Sequence, residues 1–245
     1  MAPDVNQGTD RIVIVNADDL GRSEPITDGI IRAHDEGIVT SASLMVRWPD
    51  AERAARLARD RPELSLGLHL DFAEYAFEDG EWRPLYEVVA TDDAEALDRE
   101  ARAQLARFRE LGGCDPTHLD SHQHVHMDEP VREVARRLAG ELGVPLRRVD
   151  PRVGYDGSFY GRELDGARSH AHISIENLLR LLRELPRGTT ELACHPGKSG
   201  GGDPAYDEER ELELNALVDP RVREVLEAEG IELRSFADVN GPAVS

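Results

Sequence analysis

The sequence predicts a parallel, barrel-like α/β fold, and three observations carry that expectation. Short β-branched or apolar runs alternate with longer stretches of helical periodicity along the chain, the order that builds parallel sheets. Residues with evident chemistry (Asp18-Asp19, His69, a histidine row from His118 to His126, and His195) all fall at the carboxyl ends of predicted strands, where such folds place their ligands. The 245 residues show no linker-like shift in composition, so one domain over residues 11–240 is expected, behind a disordered tail of residues 1–10.

Arg11 to Asn16, RIVIVN, suits a strand buried on both faces. It leads into Asp18 and Asp19, two carboxylates that either serve a site or divide into a helix cap and a solvated side chain. Ser23 to Gly37 reads as a helix, with Ser23 as N-cap, Pro25 in the first turn, and Ile26, Ile30 and Ile31 on one face. Val39 to Val46 is a second strand, Pro49 to Arg59 a helix, and Leu64 to Leu70 a third strand. That third strand carries His69. A lone histidine in an apolar run is usually a core residue, but its place level with the Asp pair favours a ligand.

Phe72 to Thr91 lacks sustained periodicity and reads as a long loop containing Tyr75, Phe77, Trp82 and Tyr86. Its aromatics either form a wall that stacks on substrate, with Trp82 as a candidate, or pack the loop down as a satellite cluster. Asp92 to Leu111 is helical, capped by Asp92 or Asp93 and stopped by Gly112-Gly113. Thr117 to Met127, THLDSHQHVHM, then puts His118, Asp120, His122, His124 and His126 on every second position. In an extended strand these five share a face. Burying so many imidazoles and a carboxylate is costly unless each finds a partner, and a cation is the usual one. Strand residues two apart lie roughly 7 Å from each other, so one ion takes at most two of the row and draws its other ligands from elsewhere. The alternative is a solvated histidine cluster.

Glu129 to Leu142 is the next helix, and Pro145 to Val149 a fifth strand whose Arg147 and Arg148 alternate in and out. One of the pair, with Arg148 as the candidate, could orient a carboxylate at the site, although a surface ion pair is the commoner fate. Pro151 to His172 is irregular, and Ser174 to Leu185 is helix. Glu191 to Cys194 is a sixth strand ending at His195. The Gly200–Gly202 segment after it lacks the spacing of a phosphate cradle. Helices over Glu208–Val218 and Arg221–Glu229 and a strand over Ile231–Phe236 complete the chain.

A net charge of −20 argues against a nucleic-acid or anionic-membrane partner. Two cysteines are too few for a disulfide scaffold, and the opening residues have neither a basic nor an apolar leader, so a cytoplasmic location is expected.

The stretches VNADDLG (Val15 to Gly21), GIVTSASLMV (Gly37 to Val46), GLHLD (Gly67 to Asp71), THLDSHQHVHM and CHPG (Cys194 to Gly197) resemble the YdjC-like carbohydrate deacetylases, a family that includes chitooligosaccharide deacetylases of the ChbG type. The resemblance implies a distorted TIM-like (β/α) barrel with NodB-like deacetylase architecture and one divalent metal, Mg2+ or Zn2+, held by Asp19, His69 and His122. It implies Asp18 as general base, His195 as general acid, an N-acetylated sugar as substrate, and a homodimer. Gln123 stands where family members often carry histidine. An Asp-His-His set leaves positions open for water and a carbonyl oxygen, which suits hydrolysis. Asp120 and His124 are expected to orient the ligand histidines, with His126 a further candidate. Hydrolysis of another amide or ester, and a non-catalytic sugar-binding protein, are the competing expectations.

Overall fold

The computed structural model describes residues 10–239 apart from 79, 164–165 and 202–205, and the side chain of Glu78 is set aside with them. The expected tail therefore lies, except for Asp10, outside the described residues. The strands are β1 (Arg11–Leu20), β2 (Ser41–Leu44), β3 (Ser65–Leu70), β4 (Ala73–Glu78), β5 (Glu81–Glu87), β6 (Leu119–Ser121), β7 (Gly154–Asp156), β8 (Gly188–Cys194) and β9 (Ile231–Arg234). The helices are α1 (Glu24–Asp35), α2 (Ala51–Arg59), α3 (Ala94–Gly112), α4 (Val131–Leu142), α5 (Ile175–Arg183), α6 (Asp207–Leu217) and α7 (Pro220–Glu229).

Seven strands form one sheet in the order β6-β3-β2-β1-β8-β7, with β9 beside the start of β1. Every pairing in it is parallel. The outer strands β6 and β7 do not pair with each other among the described residues, so the sheet is a curled half-barrel rather than a closed one. Helices cover its outer face. Hence β3 is buried along its whole length, as is β1 from Val13 onward. α1 contributes Ile26, Ile30 and Ile31 to the core, and α5 contributes Leu178, Leu179, Leu181 and Leu182. Each such side chain stabilises the fold by roughly 1.5–3 kcal/mol on burial. Asp93, Ser174 and Asp219 accept hydrogen bonds from the first turns of α3, α5 and α7, and Gly113 ends α3 in the left-handed conformation. Ser23 sits at the start of α1 but accepts no capping bond. Among the described residues no helix is long and apolar enough to cross a membrane.

Several expectations are corrected. The histidine stretch is a strand only over Leu119–Ser121; residues His122–Met127 make a 3₁₀ turn in which Gln123 and His124 have φ of 50° and 54°. The five side chains therefore do not share a face. Phe72 to Thr91 is not a loop but an antiparallel hairpin of β4 and β5. The strand expected at Pro145 to Val149 reduces to a bridge between Leu146 and Leu119, while Gly154–Asp156, expected to be irregular, is β7 beside β8. β1 also runs past Asn16 to Leu20 and takes the Asp pair with it.

Candidate active site

The centre begins with a bulge in β1. Ala17 pairs with Ala42 and Leu20 with Leu44, so the β1 segment carries one residue more than its partner. Asp19 takes φ 69° to absorb it. In a regular strand adjacent side chains point to opposite faces. The bulge instead sends both carboxylates into the barrel mouth, where both are buried.

Asp19 Oδ1 lies 3.1 Å from His122 Nδ1 and 3.6 Å from His69 Nε2. Its other oxygen accepts from Arg210 at 2.5 Å, while Oδ1 is buried without a hydrogen-bond partner. His69 pairs in register with Asp120, whose Oδ1 accepts from His69 Nδ1 at 2.9 Å. That bond leaves the lone pair of Nε2 facing Asp19. An orphaned carboxylate oxygen converging with two imidazole nitrogens fits a divalent cation. Burial works against ionised Asp19, but Arg210 and then His122 outweigh it and hold the carboxyl well below its usual range. Burial lowers His69 to about 4 despite the nearby aspartates, so its ring is neutral and able to ligate.

Arg147 is the buried hub beside this group. It donates to Asp18 Oδ1 at 2.6 Å, to Glu191 at 2.7 Å through Nε, and to Asp120. Asn16 donates to the same Asp18 oxygen at 2.8 Å, and Ser43 donates to Asp120 at 2.9 Å. Burial would raise the Asp18 carboxyl, but Arg147, with His69 and His195, keeps it well below the usual carboxylate range. Asp18 is thus an anion with its Oδ2 turned toward His195 Nε2, 3.8 Å away.

His195 follows β8 and is held from behind. Its backbone N–H donates to Glu213 Oε2 at 2.5 Å, its carbonyl accepts from Arg210 at 3.3 Å, and its Nδ1 is 4.0 Å from Glu213 Oε1 without a hydrogen bond. Tyr206 donates to Glu213 Oε1 at 2.6 Å, and Tyr160 stacks on Tyr206 and tilts over His195. Burial lowers His195 to about 4, so it is neutral at neutral pH and must receive a proton before it can give one. Burial raises Glu213 to about 8.

The structure thus brings Asp18, Asp19, His69, Asp120, His122 and His195 together. His118 is elsewhere: it bonds Thr117 and Ser43 and stacks on Phe236 as a satisfied core residue. His126 bridges Ser121 Oγ and the Arg147 carbonyl, bracing the turn and the hub. His124 meets Tyr155 OH at 3.0 Å. Arg148 does not orient a site carboxylate; it lies over the Tyr155 ring, and its neighbour Arg147 holds that position instead. Trp82 is 59% exposed on the hairpin, edge-on to Phe77. Sequence reasoning missed Arg22, Glu74, Arg210 and Glu213. Only the YDEERELE run offered a signal for the last two, and its charge density reads as a solvated helix face.

Fold and site together define the class: an open α/β half-barrel with an Asp-His-His cluster at the carboxyl ends of its strands. A protein of Enterococcus faecalis V583, described as a candidate cellobiose-phosphate cleavage protein, matches with TM-score 0.73 at 25% identity, covering 95% of this chain and 100% of that one. A family 4 carbohydrate esterase from Streptomyces lividans, solved with acetate, shares the fold with TM-score 0.57 at 14% identity, covering 98% of each chain. The chain belongs to the YdjC-like family, whose profile matches residues 12–228. The carbohydrate deacetylase of Geobacillus stearothermophilus is 35% identical over 252 residues, 93% of this chain and 98% of that one.

Proposed function

We propose that this protein is a metal-dependent carbohydrate N-deacetylase that hydrolyses the acetamide of an N-acetylated sugar or chitooligosaccharide. The observation that carries this is the convergence of a His69 and a His122 nitrogen on the orphaned Oδ1 of Asp19, with the ionised Asp18 beside it. Asp19, His69 and His122 would hold the cation. Two imidazoles suit Zn2+, while a carboxylate and open water positions also suit Mg2+. Bound there, the ion would acidify water and polarise the acetamide carbonyl.

The chain's own residues supply the proton path. Asp18 takes a proton from the attacking water. His195 Nε2, 3.8 Å from Asp18 Oδ2, is neutral at rest and accepts that proton. It then gives it to the departing amine nitrogen as the C–N bond breaks, so one amide and one water become one amine and one acetic acid, which ionises to acetate by losing its proton to solvent or to the amine. Arg147 keeps Asp18 ionised between turnovers. Tyr160 and Tyr206 flank the His195 ring, with ring centroids 5.1 and 5.8 Å away. The test is acetate release, with product masses, from metal-loaded protein given a panel of N-acetylated mono- and oligosaccharides. A loss of one acetyl mass per turnover is expected; no acetate from any of them, with phosphate or another acid released from generic esters, would move the protein to another hydrolase class.

A further inference from the structure

The outer side of the His122 ring is where the β4–β5 hairpin reaches the centre. His122 presents Nδ1 to Asp19 and Nε2 to Glu74 Oε2 at 3.7 Å. Glu74, from β4, is only 8% exposed. Arg22 Nη2 donates to both of its oxygens, at 2.8 and 3.1 Å, and the Arg22 guanidinium lies 4.8 Å from the centre of the Trp48 ring. One residue along each chain the contact repeats: the Gln123 amide accepts from Tyr75 N–H and donates to the Tyr75 carbonyl, both at 2.8 Å. The hairpin is therefore fixed to the ligand turn by the Gln123–Tyr75 hydrogen bonds, and beside them Arg22 bridges Glu74 and His122.

An imidazole that gives Nδ1 to a cation carries its proton on Nε2, and a buried N–H needs an acceptor. In this structure Nε2 accepts from Arg22 Nη1 at 3.4 Å, and a guanidinium offers a proton on that nitrogen no acceptor. Glu74 does, and it stands on the side of the ring away from Asp19, outside the ligand cluster. We propose that Glu74 is a positioning residue of the cation centre: it selects the His122 tautomer that leaves Nδ1 free for a divalent cation, and it thereby couples the hairpin to cation binding. The proposal rests on Asp19, His69 and His122 holding the ion. It makes the two ligand histidines alike, each backed by a carboxylate, Asp120 from within the sheet and Glu74 from a hairpin outside it.

The experiment titrates Co2+ into the full chain and into E74Q and E74D, reading affinity by calorimetry and the visible absorption of the bound ion, with hydrogen exchange at Tyr75–Phe77 measured in parallel. E74Q should bind Co2+ about 10- to 100-fold more weakly and with an altered spectrum. E74D, which keeps the carboxylate, should recover most of that loss, and Co2+ should slow exchange at Tyr75–Phe77 in the parent protein. E74Q binding within twofold of the parent with an unchanged spectrum overturns the proposal. Should E74Q not fold, exchange at Tyr75–Phe77 in the parent that is indifferent to Co2+ overturns it equally. A parent chain that binds no Co2+ removes the centre and this proposal together, whereas Co2+ binding without deacetylation of any sugar sinks only the functional assignment.

Discussion

Gly29 on α1 and Gly197 in the turn after β8 lie backbone against backbone. A Cβ placed on Gly29 would stand 2.3 Å from Gly197 Cα, closer than real Cβ contacts come. The turn is held on both sides, because Lys198 N–H donates to the Pro25 carbonyl and Gly197 N–H to the Arg210 carbonyl. His195 is two residues upstream. Gly29→Ala must therefore displace the turn that carries it. We expect at least a tenfold fall in kcat, cation affinity within a few-fold of the parent, and a stability loss of about 1–3 kcal/mol typical of overpacking. Steady-state kinetics, metal titration and urea unfolding measure the three.

Asp18→Asn keeps the shape of the side chain and removes the base. The expected result is a fall in kcat of about 10²- to 10⁴-fold with the cation still bound, if Asp19, His69 and His122 hold it; a parallel loss of the cation would place it instead on the alternative Asp18-His69-Asp120 group. Turnover close to the parent's would mean that another group takes the water's proton.

Arg147→Met leaves Asp18, Asp120 and Glu191 buried without their shared cation. Breaking such a network costs about 3–5 kcal/mol, which urea unfolding near neutral pH should register. A midpoint unchanged from the parent would show that the carboxylates find other partners.

Glu213 predicts the direction of a pH effect on stability. Burial raises its carboxyl from 4.5 to about 8, opposed by the His195 N–H and the Tyr206 hydroxyl, so the folded chain holds this proton more tightly than the unfolded one. The stabilising contribution is complete below pH 4.5 and is lost as pH rises through 8. Glu213→Gln, which mimics the protonated form, should flatten the decline of melting temperature across that window. A variant whose melting curve falls as steeply as the parent's would refute the assignment.

Removing divalent ions with a chelator should abolish acetate release and lower the melting temperature, and returning Zn2+ or Mg2+ should restore both, because an ion bound only by the folded chain stabilises it by mass action. Full activity in chelator would contradict the metal assignment.

The helices were legible because caps such as Asp93 and stops such as Gly113 are local chemistry. The hairpin was not, since β5 is almost wholly exposed and has no buried face to impress a period of two on its residues. Alternating histidines imitated a strand past Ser121. What bends the chain there is partly tertiary, the Gln123 clasp on Tyr75, and partly a local bond from His126 N–H to Ser121 Oγ that a period-two reading does not weigh. Parity could not choose between Arg147 and Arg148, because only Leu146 pairs as a strand residue and Arg148 has φ 63°. Glu213 was hidden for another reason: α6 buries Glu209, Arg210 and Glu213 on the face where apolar side chains are expected.

The extra residue in β1 has a consequence for inheritance. The proposed base and ligand, Asp18 and Asp19, are consecutive amino acids, so their spacing is set by a single peptide unit rather than by how helices settle against the sheet. Substitutions that shift distant layers move both carboxylates as one piece, and the catalytic geometry can persist while the surroundings drift. A deletion at this spot is the opposite case, since it would return the two side chains to opposite sides of the sheet and separate proton transfer from ion binding in one event.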